Sequence, residues 1–175
     1  MSKGIELNTD RLLLRPIRLV DVDAILTYSS DEKWAQYHDK LPDLHFIEEF
    51  VAHHVTAPWK DDPRFSIVLD SRVIGGIGIT IEPKYANGEL AYSLAREHWG
   101  KGFVVEAARE VVRWGFAELD LAKIWTRADA LNTQSTRVME KLGMTLEGVL
   151  RAQTVVRGER RDEVRYGLLR DEWSE

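Results

Sequence analysis

Apolar residues recur along this chain in two rhythms, one of strands and one of helices. Arg11-Leu12-Leu13-Leu14-Arg15-Pro16-Ile17 is a short apolar run closed by a proline, which predicts a first strand. Val22, Ile25, Leu26 and Ser29 fall at helical spacing, so Asp21 to Ser30 predicts a helix. A polar stretch follows from Asp31 to Asp43. Ile47, Phe50, Val51 and Val55 then predict a second helix that ends before Pro58. Phe65 to Leu69 and Val73 to Ile81 read as two strands joined by a turn at Asp70-Ser71-Arg72. Asn87-Gly88 reads as another turn, followed by a strand from Glu89 to Leu94. Val104, Ala108, Val111, Val112 and Leu119 mark the buried face of a long helix. Lys123 to Thr126 is a short strand, and Gln134 to Leu142 a helix stopped by Gly143. Leu146 to Val156 and Glu163 to Leu169 form two last strands around Arg157-Gly158-Glu159. The expectation is one α/β domain over residues 1–175, with a mixed sheet of about seven strands and about four helices.

Composition narrows the functional classes. The chain has 175 residues, enough for one sizeable core, and its 44% hydrophobic and 30% charged content is that of a globular protein. No run is apolar enough to span a bilayer, and Met1 to Glu6 lacks a signal-peptide core, so a cytoplasmic protein is expected. With no cysteine there is no disulfide, thiolate metal site or cysteine nucleophile. A net charge of −5 argues against nucleic acid as a partner. Arginines crowd the C-terminal part, mixed with Glu159, Asp162, Glu163 and Asp171, as on a solvated strand face. His53 and His54 are adjacent and cannot share a helical face as metal ligands would, so no metal is expected.

Two stretches carry candidate chemistry. Trp99-Gly100-Lys101-Gly102-Phe103-Val104-Val105 is a glycine turn that runs into the long helix. Such a junction presents unpaired N–H groups and the positive end of a helix dipole, which suit a pyrophosphate. The other is Asn132-Thr133-Gln134-Ser135, which opens the later helix. Gly75-Gly76-Ile77-Gly78 fails the dinucleotide spacing, and Gly100-Lys101-Gly102 lacks the hydroxyl residue of a Walker loop.

These two stretches resemble the GNAT superfamily of acyl-CoA-dependent N-acetyltransferases, and most of all its ribosomal-protein N-terminal acetyltransferase branch. The likeness runs through nearly the whole chain, from Thr9-Asp10-Arg11-Leu12-Leu13-Leu14-Arg15 to Asp162-Glu163-Val164-Arg165-Tyr166-Gly167-Leu168-Leu169. It implies a sheet whose central strands splay, with acetyl-CoA lying between them. Backbone groups of Tyr92, Ser93, Leu94 and Ala95 would pair with its pantetheine arm. The turn from Trp99 through Gly100, Lys101, Gly102, Phe103 and Val104 to Val105 would hold its pyrophosphate. Val104 stands where the family has a small residue, which leaves less room there. Asn132 would contact pantetheine, and it is also a natural N-cap.

The resemblance further implies direct attack by a primary amine in a ternary complex. The best acceptor class is a protein or peptide N-terminus, with a small amine or a weakly catalytic acyl-CoA-binding module as alternatives. Trp34 and Tyr37, with His38 and Trp59, fall where the family builds its substrate wall. Many members carry a proton-donating tyrosine where this chain has Met139, so Ser135 is the expected donor to the leaving thiolate. Glu89 is the expected base, acting through water, and part of the acceptor site. Strand alternation puts Glu89, Ala91 and Ser93 on one face and Leu90, Tyr92 and Leu94 on the other. The resemblance also allows a homodimer.

Overall fold

The computed structural model describes residues 4–174; Met1 to Lys3, within the N-terminal segment read above, lie outside them. Four helices and eight strands follow the predicted order, with two departures. The first is an added pair: β1 (Leu7–Asn8) folds back on β2 (Leu13–Pro16), so the sheet has one strand more than expected. A two-residue strand is too short to show any alternation. The second is a correction. Asn87-Gly88 is not a turn but the start of β5 (Asn87–Leu94). The chain reverses just earlier, in a 3-10 turn at Pro83–Tyr85 that ends on Ala86 with φ 51°. Gly88 lies inside the sheet because a side chain there would collide with Ile79 and Leu121.

Local chemistry accounts for the other boundaries. α1 (Val22–Ser29) and α2 (Leu44–Thr56) occupy the two predicted helices. Asp43 caps α2 by accepting from the Phe46 N–H at 2.8 Å. β3 (Arg64–Leu69) and β4 (Arg72–Glu82) are joined at Asp70 and Ser71, both with positive φ. α3 (Phe103–Glu118) leaves the glycine turn, and β6 (Lys123–Asp129) leads to α4 (Thr133–Lys141). β7 (Thr145–Val156) and β8 (Glu159–Leu169) form a hairpin turned by Arg157 and Gly158.

The sheet order is β1-β2-β3-β4-β5-β6-β8-β7, and every pairing is antiparallel except β5 with β6. That parallel pairing lasts only from Asn87 to Glu89, against Lys123 to Trp125. From Leu90 onward the two strands part. The core divides across the sheet. Leu90, Leu94, Ile77 and Ile79 pack with Ala107, Ala108, Val111 and Val112 of α3. Val104 and Leu119, at the ends of the predicted stripe, are only half-buried against this cluster. On the other side Ile25, Tyr28, Ile47 and Val51 of α1 and α2 form a smaller cluster with Ala95. Asp21 and Arg15 tie α1 to β2. The Asp21 carboxylate, 2% exposed, accepts from Arg15, the Arg18 N–H and Ser66. Among the described residues no helix is long and apolar enough to cross a membrane.

Candidate active site

The parting of β5 and β6 opens a cavity of about 450 Å³, large enough for an extended ligand arm. Its floor is Tyr92, Ser93 and Leu94 of β5. One wall is Trp99, Gly100, Gly102 and the start of α3 at Phe103, Val104 and Val105. The opposite wall is Asn132, Ser135 and Val138 from α4 and its cap. Trp34, Tyr37 and His38 stand at the mouth, so the structure brings most of the expected site residues together.

The α3 end is built to receive an anion. Gly100 and Gly102 have φ of 74° and 82°, a region costly for other residues. A Cβ on Gly100 would meet nothing within 4 Å, and one on Gly102 only the Arg11 guanidinium at 3.6 Å. The first helical bond of α3 is Glu106 N–H to the Gly102 carbonyl. The N–H groups of Phe103, Val104 and Val105 have no acceptor among the described residues. They form a cradle of donors on open space at a positive helix end. The buried Nδ1 of His98, on the same wall, also has no partner among the described residues. These unpartnered N–H groups and the His98 nitrogen fit the phosphates and amides of acetyl-CoA. Arg11 holds the cradle in place by donating to the Lys101 carbonyl and pairing with Glu106, whose carboxyl it helps to hold below the usual range against the cost of desolvation.

Ala95 and Lys101 do not join the cavity lining. The Ala95 N–H is bonded to the Ile74 carbonyl, and its side chain lies in the smaller core cluster, so it is closed to pantetheine. The Leu94 carbonyl takes the Trp99 indole N–H at 2.8 Å. This bond gives Trp99 a structural reason for standing at the head of the turn. The Lys101 carbonyl takes the Arg11 guanidinium, and the lysine side chain stays off the cavity lining.

At the reacting end, Asn132 Oδ1 accepts the Ser135 N–H at 3.1 Å and so caps α4. Ser135 Oγ lies 2.8 Å from the Tyr92 hydroxyl, which is also 3.2 Å from the Ser135 carbonyl oxygen. Burial pushes the Tyr92 phenol up to about 12, partly offset by its bond to Ser135. Met139 is fully buried in the core.

Glu89 is not in this cavity. It occupies the opposite face of β5, as the alternation requires, because the β4–β5 register runs without a bulge. There it takes the Arg127 Nε–H at 2.9 Å. Arg127 in turn lies beside the buried Glu163, which also pairs with Arg165.

The mouth is tethered at several points. The Tyr37 hydroxyl donates to the Leu131 carbonyl, next to Asn132. Trp34 leans on Tyr28, whose hydroxyl is 3.3 Å from Ser93 Oγ. Asp39 accepts the Arg157 N–H from the β7–β8 hairpin. His38 stacks on Trp34 with centroids 4.7 Å apart, and desolvation holds its pKa below the ordinary imidazole value. The sequence reading missed His38 as a titrating group, and His98, Gln134, Arg137 and Lys141 as lining residues. For the last three, their place near Asn132 on α4 was a usable signal. Trp59 is not part of the mouth; it packs on Phe65 and Trp114 in the core.

His53, His54 and Asp62 meet at the end of α2 with ligand atoms within 4.8 Å of one another. Asp62 is already engaged by His54, Arg64 and Thr80, which hold its carboxyl below the usual range, so the group fastens α2 to the following loop.

Comparison with known proteins agrees with this geometry. Residues 11–145 match the acetyltransferase (GNAT) domain. The chain is 32% identical to the "Uncharacterized N-acetyltransferase p20" of Bacillus licheniformis, over 96% of this chain and 98% of that one. It is 22% identical to the spermidine N(1)-acetyltransferase of Escherichia coli, over 91% and 87%. The solved structure of RimL, a ribosomal L7/L12 alpha-N-protein acetyltransferase in complex with coenzyme A, superposes with a TM-score of 0.87. That likeness covers 94% of this chain and 98% of RimL at 17% identity, and shows a shared fold. The splayed sheet, the anion cradle and these relationships place the chain in the GNAT family, as an enzyme that transfers acetyl groups from acetyl-CoA to amines.

Proposed function

We propose that the acceptor is the N-terminal amine of a protein or peptide. The observation that carries this reading is the form of the acceptor side. Glu89, Ala91 and Ser93 face away from the cavity, toward the side of the sheet that carries α1 and α2. The Trp34–His38 segment and the β7–β8 hairpin meet there through Asp39 and Arg157. An acceptor approaching from this side meets an aromatic wall and the charges of Glu89, Arg127 and Arg165, the two arginines held by the buried Glu163. Such a surface can take an extended chain beside its terminal amine. The likeness to RimL supports the reading, and the likeness to a spermidine acetyltransferase supports the alternative, a small amine.

In this mechanism Gly100 to Val105 bind the pyrophosphate through backbone N–H groups, and Asn132 and Ser93 line the pantetheine path. Acetyl-CoA supplies the activated acetyl group. Glu89 accepts the amine proton through water, and Ser135 gives a proton to the departing sulfur. His38 is a second candidate for the base, because it lines the cavity and Glu89 does not. No covalent intermediate is required.

Release of free coenzyme A thiol, measured over a panel of peptides with varied N-termini and a panel of polyamines and amino acid amides, tests the acceptor class. A peptide should give kcat/KM at least tenfold above any small amine. A polyamine outperforming every peptide would replace the reading with its alternative.

A further inference from the structure

We propose that Tyr92 is a positioning residue for acetyl transfer, its phenol holding the Ser135 hydroxyl in the orientation that serves the departing sulfur. The inference rests on the acetyltransferase reading of the cavity and goes beyond it, since Tyr92 was assigned only a backbone role there.

A serine in the first turn of a helix ordinarily turns its hydroxyl back on a carbonyl three or four residues earlier. Thr136, next in α4, does so, donating to the Thr133 carbonyl at 3.1 Å. Ser135 does not. The Leu131 carbonyl already takes two donors, the Tyr37 hydroxyl and the Thr133 N–H, and the Ser135 hydroxyl makes no bond to the Asn132 carbonyl. Among the described residues, the Ser135 hydroxyl has one partner, Tyr92 at 2.8 Å. The phenol comes from β5, across the cavity floor, and both residues line the cavity.

Counting protons decides what the pair can do. Each hydroxyl carries one proton. The Tyr92 proton has two acceptors on Ser135, Oγ at 2.8 Å and the carbonyl at 3.2 Å; when it goes to the shorter contact, Oγ, the Ser135 proton is free to point into the cavity. In the transfer step the bond between acetyl carbon and sulfur breaks and its electron pair stays on sulfur. Ser135 passes its proton to that sulfur and regains one from water, while the attacking nitrogen gives its proton to the water at Glu89, so the net movement is one proton from nitrogen to sulfur. While Ser135 Oγ is short of a proton, the Tyr92 hydrogen bond stabilises it. Burial raises the Tyr92 phenol to about 12, so it is protonated at neutral pH and holds its proton against Ser135 Oγ when that oxygen is short of one. Met139, where many family members carry a tyrosine, is buried in the core and off the cavity lining. Here the phenol stands on the neighbouring strand and acts through the serine.

The test uses Tyr92→Phe, Ser135→Ala and the double variant, each checked for a wild-type melting temperature. Tyr92→Phe should lower kcat about tenfold and leave KM for acetyl-CoA within twofold. The double variant should be no slower than Ser135→Ala, because Tyr92 acts through Ser135. A readout independent of turnover is the titration of the thiol of bound coenzyme A, followed by thiolate absorbance. Its pKa should rise by about one unit in Tyr92→Phe, the scale of one lost hydrogen bond to a charged group. A wild-type kcat and an unmoved thiol pKa in Tyr92→Phe would overturn the proposal, as would losses that multiply in the double variant. If Tyr92→Phe does not fold, 3-fluorotyrosine in place of Tyr92 keeps the shape with a more acidic phenol. It should lower the bound thiol pKa, and no change would count against the proposal. A wild-type protein that binds no coenzyme A would instead bring down the reading of the cavity.

Discussion

At the scale of the residue, Glu89 and His38 are separable by their protons. Glu89→Gln keeps shape, removes the carboxylate and leaves Arg127 with Glu163 alone as its anionic partner. It should lower kcat/KM by about 10²-fold near pH 7, with the loss shrinking at high pH where the amine is already neutral. His38→Gln should leave the profile unchanged if Glu89 is the base. If His38 is the base, its variant removes the acidic limb of the pH–rate profile. That limb should lie below the ordinary imidazole value, because desolvation at Trp34 lowers the pKa. The titratable and charged groups on the same cavity are Tyr37, Tyr92, His98, Arg137 and Lys141. Asp39, next in the chain, is held by Arg157. Activity against pH for the two variants decides between them.

At the scale of the element, the junction into α3 shows how much a sequence motif can carry. Glycines before a helix were legible as an anion site because backbone donors and dipole follow from helix geometry alone. The openness of the space around Gly100 and Gly102 was not, since it depends on how far β6 and α4 stand away. Gly102→Val would place a β-branched residue at φ 82°, a strain of about 1–3 kcal/mol. It would also set methyl groups where the pyrophosphate belongs. Calorimetry should show acetyl-CoA affinity reduced at least tenfold. The wild type should gain about 2.7 kcal/mol of stability at a ligand concentration of 100 Kd, and the variant much less. The Asn87-Gly88 misreading has the opposite lesson. The pair has the composition of a hairpin turn, but Gly88 is there because Ile79 and Leu121 leave no room for a Cβ. Close packing and turn geometry select the same residue for different reasons.

At the scale of the whole molecule, stability should depend on acid in a defined way. Asp21, Asp62 and Glu106 have pKa values lowered by their hydrogen bonds and cationic partners, despite the opposing cost of desolvation. A depressed carboxylate contributes stability that is complete above its unfolded value and is lost as pH falls through the folded one. Urea unfolding should therefore be level from neutral pH to about 5 and weaken below about 4. Asp21→Asn should cost about 3 kcal/mol at pH 7, because it leaves the Arg15 guanidinium without its buried partner. It should also flatten part of the acid slope. An Asp21→Asn variant as stable as the wild type would show that Arg15 finds other partners.

The sequence by itself determined the order of the four helices and of seven of the eight strands, the cap of α4 and its glycine stop, and the two stretches that hold the site. These follow from residues near one another in the chain: apolar spacing, glycine at positive φ, Asn132 capping α4. It also separated Glu89 from Tyr92, since alternation along a strand is local. Only the tertiary structure decided where β5 and β6 part, what fills the gap, and which side chains meet across it. Tyr92 and Ser135 are 43 residues apart, and Arg157 and Asp39 are 118 apart. Such contacts depend on strand order and on the angle at which α4 returns to the sheet. No periodicity records either, because both are settled by the packing of elements that are distant in sequence.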